Sequence, residues 1–392
     1  MRLRLKHQIS IGFIVLLLAA SIAASEQQLV KIAILSQVPV VTHAASSLDP
    51  VLTDRGIQGA RLAIIDNNTT GQFLNQQFDL QVIKIPAEQN PLNAVQALIK
   101  QGIQFILLDI PEDKLLELQS SVKASKALLF DVSSRSDQLR QSACNSNLLH
   151  LLPSRTMRAD ALGQYLLSKR WTDWLLVIGP DSKNQLFAAA LKRAAKRYRM
   201  KIVDERVWKH DYDARRTAQK EVPVFTQGVD YDVLVVVDED NLFGDYLPYR
   251  TWKPRPVVGT HGLFATAWHP AHEQWGALQL NSRFRKQANR DMTEIDYGAW
   301  LAVRAIGEAA SRTQSTTYAD MRAYLASEQF ALAGFKGRAL SFRPWNGQLR
   351  QPVLLVWARA VVSVLPLPGF LHPKNTLDTL GFDKAEVKCS VQ

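Results

Sequence analysis

The stretch "VLVVVDEDNLFGDY", Val233 to Tyr246, runs five apolar residues into three consecutive carboxylates, Asp238, Glu239 and Asp240. Adjacent like charges repel, so they persist where water, a cation or basic neighbours compensate them. Alternate residues at an extended end point in opposite directions, so at most two of the three can face one cleft together. Two readings stay open. The triplet is a solvated turn with one acid turned inward, or it joins Asp109 and Asp131 in offering a hard cation the several oxygen ligands it prefers.

Other candidates sit at similar positions. Asp109 follows "FILL", while Asp131, Ser133 and Ser134 follow "ALLF". Asp181 and Ser182 follow "LLVIGP", and Thr260 and His261 follow "PVVG". In open parallel sheets ligands bind beyond the carboxyl ends of the strands, which makes Asp109, Asp131, Ser133, Ser134, Asp181, Asp238, Glu239 and His261 the candidate ligand contacts. Each also has a structural reading. Asp109 and Asp131 fit helix N-caps, a role worth about 1 kcal/mol each. Ser133 and Ser134 fit turn residues, although their amides suit an anionic or hydroxylated solute. Asp181 in "GPDSKN" fits a turn and cap, and His261 fits a structural histidine. His269 and His272 in "HPAHEQW" resemble half a metal site with no further ligands in sequence, so no metal is assigned. Trp252, Trp268, Trp275 and Trp345 offer either a stacking face for a planar solute such as a quinone or ordinary packing. The chain has no Gly-x-Ser-x-Gly elbow, no His-Glu-x-x-His and no plausibly spaced Cys-His pair, so binding rather than catalysis is expected, with no catalytic residue and no cofactor assigned.

These residues need a scaffold that brings strand ends together. "LVKIAILS", "FDLQVIKI", "IQFILLDI" and "ALLFDVSS" read as strands, separated by helix patterns in "GIQGARLAIIDN", "PLNAVQALIKQG" and "DKLLELQSSVKAS". That alternation predicts a parallel sheet covered by helices on both faces. Near "NLLHLLPSR" the chain leaves this unit, with Pro153 and Ser154 at the break. A second series follows through "DWLLVIG", "NQLFAAALKRAAKRYR", "MKIVDERVW", "YDVLVVVDED" and "RPVVGTH", which predicts a second α/β unit. From about Trp275 long helices replace the alternation, then short strands turn at Asn346-Gly347 and near Arg359-Ala360. The tail from Leu367 reads as a surface-hugging extension.

The first residues, "MRLRLKHQISIGFIVLLLAASIAAS", place Arg2, Arg4 and Lys6 before an apolar core and small residues, as in a cleaved secretory signal peptide. No later segment is apolar for long enough to cross a bilayer, so the mature chain is expected to be exported, periplasmic and not membrane-embedded. Losing Arg2, Arg4 and Lys6 takes the net charge from +11 to +8. A basic surface suits an acidic or anionic partner. Export argues against nucleic acid, and "KRAAKRYR" and "RFRKQANR" read as solvated helix faces. In an oxidising compartment two thiols usually pair, which predicts a Cys144 to Cys389 disulfide.

The order of elements resembles the type I periplasmic solute-binding proteins of ABC importers, of the branched-chain amino-acid-binding kind. The resemblance is carried by "GIQGARLAIIDNNTTGQFLNQQFDLQVI", "AVQALIKQGIQFILLD", "DYGAWLAVRAIGEAA" and "LAGFKGRALSFRPWNGQ". A narrower resemblance, to binding proteins found beside PQQ-dependent alcohol dehydrogenase systems, is carried by "HLLPSRTMRADALGQYL", "RPVVGTHGLFATAWHPAHEQWGA", "FRPWNGQLRQP" and the cysteine near the C-terminus. The resemblance implies two α/β lobes with mainly parallel sheets, joined by crossovers, that close by hinge motion on a small molecule or metal complex and dock on an ABC permease. The expected boundaries are 1–25 for the signal, 29–152 and 153–275 for the lobes, 276–366 for elements completing both, and 367–392 for the extension. "DIPEDK" stands where that family carries Gly-Pro and Ser, and His261 stands where an acid is common; both departures weigh against an amino-acid ligand. A sensing module of the same fold that signals to a receptor is the alternative function, and a metal-dependent exported hydrolase is a third.

Overall fold

The computed structural model describes residues 28–38, 52–122, 125–208 and 218–389; the expected leader, 1–25, lies outside them. The first unit runs β1 (Gln28–Gln37), α1 (Ile57–Gly71), β2 (Gln76–Ile85), α2 (Pro91–Lys100), β3 (Phe105–Asp109), α3 (Glu112–Ser121), β4 (Leu128–Asp131), the single turn α4 (Gln138–Gln141) and β5 (Leu148–His150). Its strands form a five-stranded parallel sheet in the order β2-β1-β3-β4-β5. Every residue of β3 and β4 is buried, which is why both read as unbroken apolar runs rather than alternating ones.

The second unit runs α5 (Arg155–Ser168), β6 (Asp173–Ile178), α6 (Ser182–Arg197), β7 (Lys201–Val207), α7 (Ala218–Thr226), β8 (Val233–Val237), β9 (Val257–Gly259) and β10 (Leu263–Thr266). The chain then returns through α8 (Ala277–Ala288), α9 (Glu294–Thr313), α10 (Tyr318–Ala326) and the small strands β11 (Leu332–Ala333), β12 (Ala339–Phe342) and β13 (Leu349–Arg350). It ends with β14 (Val353–Trp357) and β15 (Ala360–Leu365). The second sheet has seven strands in the order β15-β14-β10-β9-β8-β6-β7, parallel from β7 to β10 and antiparallel at β14 and β15.

The apolar residues of α8, α9 and α10 join the core under the first sheet, with Phe284, Trp300, Ile306 and Leu325 packed among Ile32, Ile34 and Phe130. β14 and β15 contribute Val353, Leu355 and Leu365 to the core of the second sheet. The fold is therefore α/β with two lobes, each a mainly parallel sheet flanked by helices. α9 starts with a capping box, in which the Thr293 hydroxyl and the Asp296 carboxylate each accept from the other's backbone amide. It crosses α1 at Gly59, where a Cβ would stand 1.8 Å from the Asp296 carbonyl oxygen, so only glycine permits this approach.

Three local features differ from the sequence reading. Leu148 to His150, read as the exit from the first unit, forms the last strand of its sheet beside β4. α1 continues past Asn67 to Gly71, because Asn67 is buried and donates to the Val303 carbonyl of α9 at 2.8 Å. The tail is more than a surface layer. Leu377, Asp378 and Leu380 are buried, and Arg343 donates to the Asp378 carboxylate and to the carbonyls of Leu377 and Leu380. Cys144 and Cys389 form the expected disulfide, with their Cα atoms 5.8 Å apart. Among the described residues no helix is long and apolar enough to cross a membrane.

Candidate functional site

The carboxyl ends of β8, β9 and β10 and the loop after β4 converge on a cavity of about 430 Å³ between the lobes. Arg135 enters it from the first lobe, and Thr293 and Glu294 enter at the start of α9. Asp238, Glu239 and Thr260 line it from the second lobe, and Phe187, Phe264, Trp268 and Met292 give it apolar wall.

A ladder of alternating charges runs along this cleft. Arg155, at the start of α5, donates to Glu112 at 2.8 and 2.9 Å and to Glu239 at 2.6 Å. Arg135 lies 3.9 Å from Glu239 and 2.5 Å from Glu294. Arg158 donates to the other Glu294 oxygen at 2.7 Å and to the Ala265 carbonyl at 2.8 Å, and the Thr266 hydroxyl donates to Glu294 at 2.8 Å. Burial alone would raise the Glu294 carboxyl, but Arg158 and Arg135 outweigh it and hold the group well below the usual carboxylate range. Burial, with Arg135 close by, pushes Arg158 down to about 10, which leaves it charged at neutral pH. The ladder links Glu112, Arg135 and Glu294, on elements of the first lobe, to Arg155, Arg158 and Glu239 on the second.

The candidates read from sequence separate into groups. Glu239 and Asp238 line the cavity, and Thr260 lies beside them. Asp238 is fully buried; its Oδ2 accepts from the Phe243 and Gly244 amides at 2.8 and 2.7 Å, and its own amide donates to the Thr260 hydroxyl at 2.9 Å. Asp240 points away, exposed, with Lys183 at 3.5 Å. His261 is buried behind the wall, its Nδ1 2.9 Å from the Thr260 hydroxyl oxygen, its ring packed so tightly on Gly244 that a Cβ there would overlap it.

The remaining carboxylates are engaged elsewhere. Asp109 pairs with Arg55 and accepts from Ser36, each at 3.3 Å. Asp131 accepts from the Ser133 and Ser134 amides and contacts His150 Nδ1 at 2.7 Å, with Arg140 at 3.6 Å. Ser134 is buried and donates toward Glu112 at 3.5 Å. Asp181 is exposed and stands as the N-cap residue of α6 without a side-chain cap bond.

The oxygen cluster of Asp109, Asp131 and the triplet is thus not assembled, since each acid has its own partners. Among the described residues no group of three or more His, Cys, Asp or Glu is placed to hold a metal ion. His269 accepts from the Ala271 amide and His272 contacts the Phe335 carbonyl, so the two do not form half a metal site. Of the tryptophans, Trp268 reaches the cavity and stacks on Tyr297 at 4.3 Å; Trp252 and Trp275 are exposed, and Trp345 lies against Arg343 and Arg350. Arg135, Arg155, Arg158 and Glu294 escaped the sequence reading. The spacing of Arg155 and Arg158 in "PSRTMR", three apart after a Pro-Ser break, is the one local sign that two cations open α5 on the same face.

No protein-family model matches this chain. No curated protein matches it either. Solved structures do. A branched-chain amino-acid ABC transporter periplasmic ligand-binding protein from Burkholderia xenovorans superposes with a TM-score of 0.67 at 17% identity, over 86% of this chain and 94% of that one. A leucine-, isoleucine-, valine-, threonine- and alanine-binding protein from Brucella ovis, in its closed conformation, gives 0.68 at 14% identity, over 87% and 94%. A solute-binding protein of an ABC transporter from R. palustris, in complex with benzoate, gives 0.66 at 10% identity, over 92% and 99%. At these identities the likeness is one of fold: the two-lobed type I periplasmic-binding-protein fold. These three neighbours are ligand- or solute-binding proteins.

Proposed function

We propose that this chain is the exported solute-binding component of an ABC import system, which captures a small solute between its lobes and presents it to a permease. The observation that carries the reading is the interlobe cavity of about 430 Å³ at the converging strand ends, a size that suits one small molecule. In this reading residues 1–25 are the signal peptide, 29–152 and 153–275 the lobes, 276–366 their completing elements and 367–392 the extension. The solute meets Asp238 and Glu239 from one side and Arg135 from the other, with Trp268 in the wall and His261 behind Thr260. The setting is the PQQ-dependent oxidation of alcohols; the support is the sequence likeness of "HLLPSRTMRADALGQYL", "RPVVGTHGLFATAWHPAHEQWGA" and "FRPWNGQLRQP" to binding proteins from such systems.

A thermal-shift titration of the mature chain against calcium, a lanthanide, PQQ, branched-chain amino acids and small alcohols and acids tests capture. A bound solute at about 100 times its dissociation constant adds about 2.7 kcal/mol to the native state and raises the midpoint. Glu239→Gln should abolish that rise, and a panel without any shift contradicts capture. Deleting the gene should slow uptake of the same solute, whereas a receptor-linked sensor would leave uptake unchanged.

A further inference from the structure

Asp238, a residue of the cavity wall, carries a half-used carboxylate. The residue is fully buried and lines the cleft. Its Oδ2 accepts from two backbone amides, while its Oδ1, also buried, has no hydrogen-bond partner among the described residues. Of the described side chains lining this cavity, no other holds a buried polar atom without a partner. A buried acceptor left unpaired costs free energy that a ligand donor recovers on binding.

The nearby cations are already matched. Glu294 answers both Arg135 and Arg158, and Glu112 and Glu239 answer Arg155. A solute carboxylate would have to break one of these pairs, and beside Asp238 it would meet a like charge. A hydroxyl or ammonium group would complete Asp238 without disturbing the ladder. The apolar wall of Phe187, Phe264 and Trp268 then takes the body of the solute.

Resting on the capture reading above, we infer that the cavity selects a small, largely apolar solute whose head group donates a hydrogen bond to Asp238 Oδ1, and that it discriminates against the corresponding carboxylate. Asp238→Asn gives a direct test. Its side-chain oxygen can still accept from Phe243 and Gly244, which puts the amide NH₂ where Oδ1 stands and replaces the unpaired acceptor with a donor.

The experiment is isothermal titration calorimetry of the mature, disulfide-bonded chain with two matched sets: benzyl alcohol, benzylamine and benzoate, and 2-methylpropanol, 2-methylpropylamine and 2-methylpropanoate. In at least one set the alcohol or the amine should bind the natural protein roughly tenfold or more tightly than the acid, because a site with an unpaired acceptor rejects a ligand that lacks the donor. The alcohol and amine arms separate the two possible heads. Asp238→Asn should lose that preference or reverse it. Asp238→Ser, which removes the carboxylate altogether, should lose it too, and circular dichroism confirms that each variant is folded.

A carboxylate that binds best, with Asp238→Asn leaving the ratio unchanged, overturns the inference and leaves capture standing. Failure of both sets to bind, with a thermal panel that stays blank, overturns both. If only another panel solute binds, Asp238→Asn is titrated with that solute, and unchanged affinity overturns the inference.

Discussion

Glu294 holds three hydrogen-bonding partners from the second lobe, Arg158, Thr266 and the Ala267 amide, and one from the first, Arg135. Removing its charge leaves Arg158, nearly buried, facing Arg135 without its ion-pair partner. Glu294→Gln should therefore lower stability by about 3 kcal/mol, read from urea unfolding; a change below about 1 kcal/mol would mean that the ladder is solvated and contributes little. His150 carries a pH dependence. Burial, with Arg140 beside it, pushes this histidine down from its ordinary 6.5 to about 4, so the unfolded chain takes up the proton first as pH falls. The contribution of neutral His150 is complete above about pH 6.5 and is lost by up to about 1.4 kcal/mol per unit from there to about pH 4. Glu294, held below its ordinary 4.5, adds a further loss only below that value. Unfolding midpoints at about pH 7 and about pH 5 should differ accordingly, and much less in His150→Gln; equal slopes in the two proteins would remove His150 as the cause.

α1 and α9 meet backbone to backbone at Gly59, so a single methyl there has to push the helices apart. Gly59→Ala should cost at least about 1 to 3 kcal/mol, as overpacking does in close-packed cores, and a midpoint unchanged by thermal melting would contradict the contact. At this scale the sequence was informative where burial is uniform. β3, β4 and β8 are buried along their whole length and show as apolar runs, which places Asp109, Asp131 and Asp238 at strand ends from the sequence alone. β5 and β10 span three and four residues, too few for a periodicity to register. The cleft was legible only in part. Asp238 and Glu239 follow an obvious strand, but Glu294 meets Arg158 across 136 residues and Arg135 across 159, and no local pattern encodes such a pairing. Nor does sequence reveal that Asp109 and Asp131 are already answered by Arg55 and His150.

The C-terminal segment ties the whole molecule together. Its Gly381 amide donates to Asp160 of α5 at 2.9 Å, Glu386 pairs with Arg193 of α6 at 2.8 Å, and Cys389 closes a disulfide onto Cys144 of the first lobe. The strap thus grips the second lobe and ends on the first. The bond closes a loop of 245 residues, for which the chain-entropy model gives about 5 kcal/mol. A Cys144→Ser, Cys389→Ser variant should lose about 2 to 5 kcal/mol of stability and expose the tail to limited proteolysis; a tail that stays protected would mean that Asp160, Arg193 and Arg343 hold it alone. The fold, the cavity and the cross-lobe ladder all bear on one claim, that a solute is held by both lobes at once. Hydrogen exchange followed by mass spectrometry, with and without the tightest solute from the thermal panel, tests it most directly. Capture by both lobes predicts simultaneous protection of residues 132–136 and 291–296 from the first lobe and of 237–241 and 259–266 from the second. Protection confined to one lobe, or lying outside these segments, would contradict it.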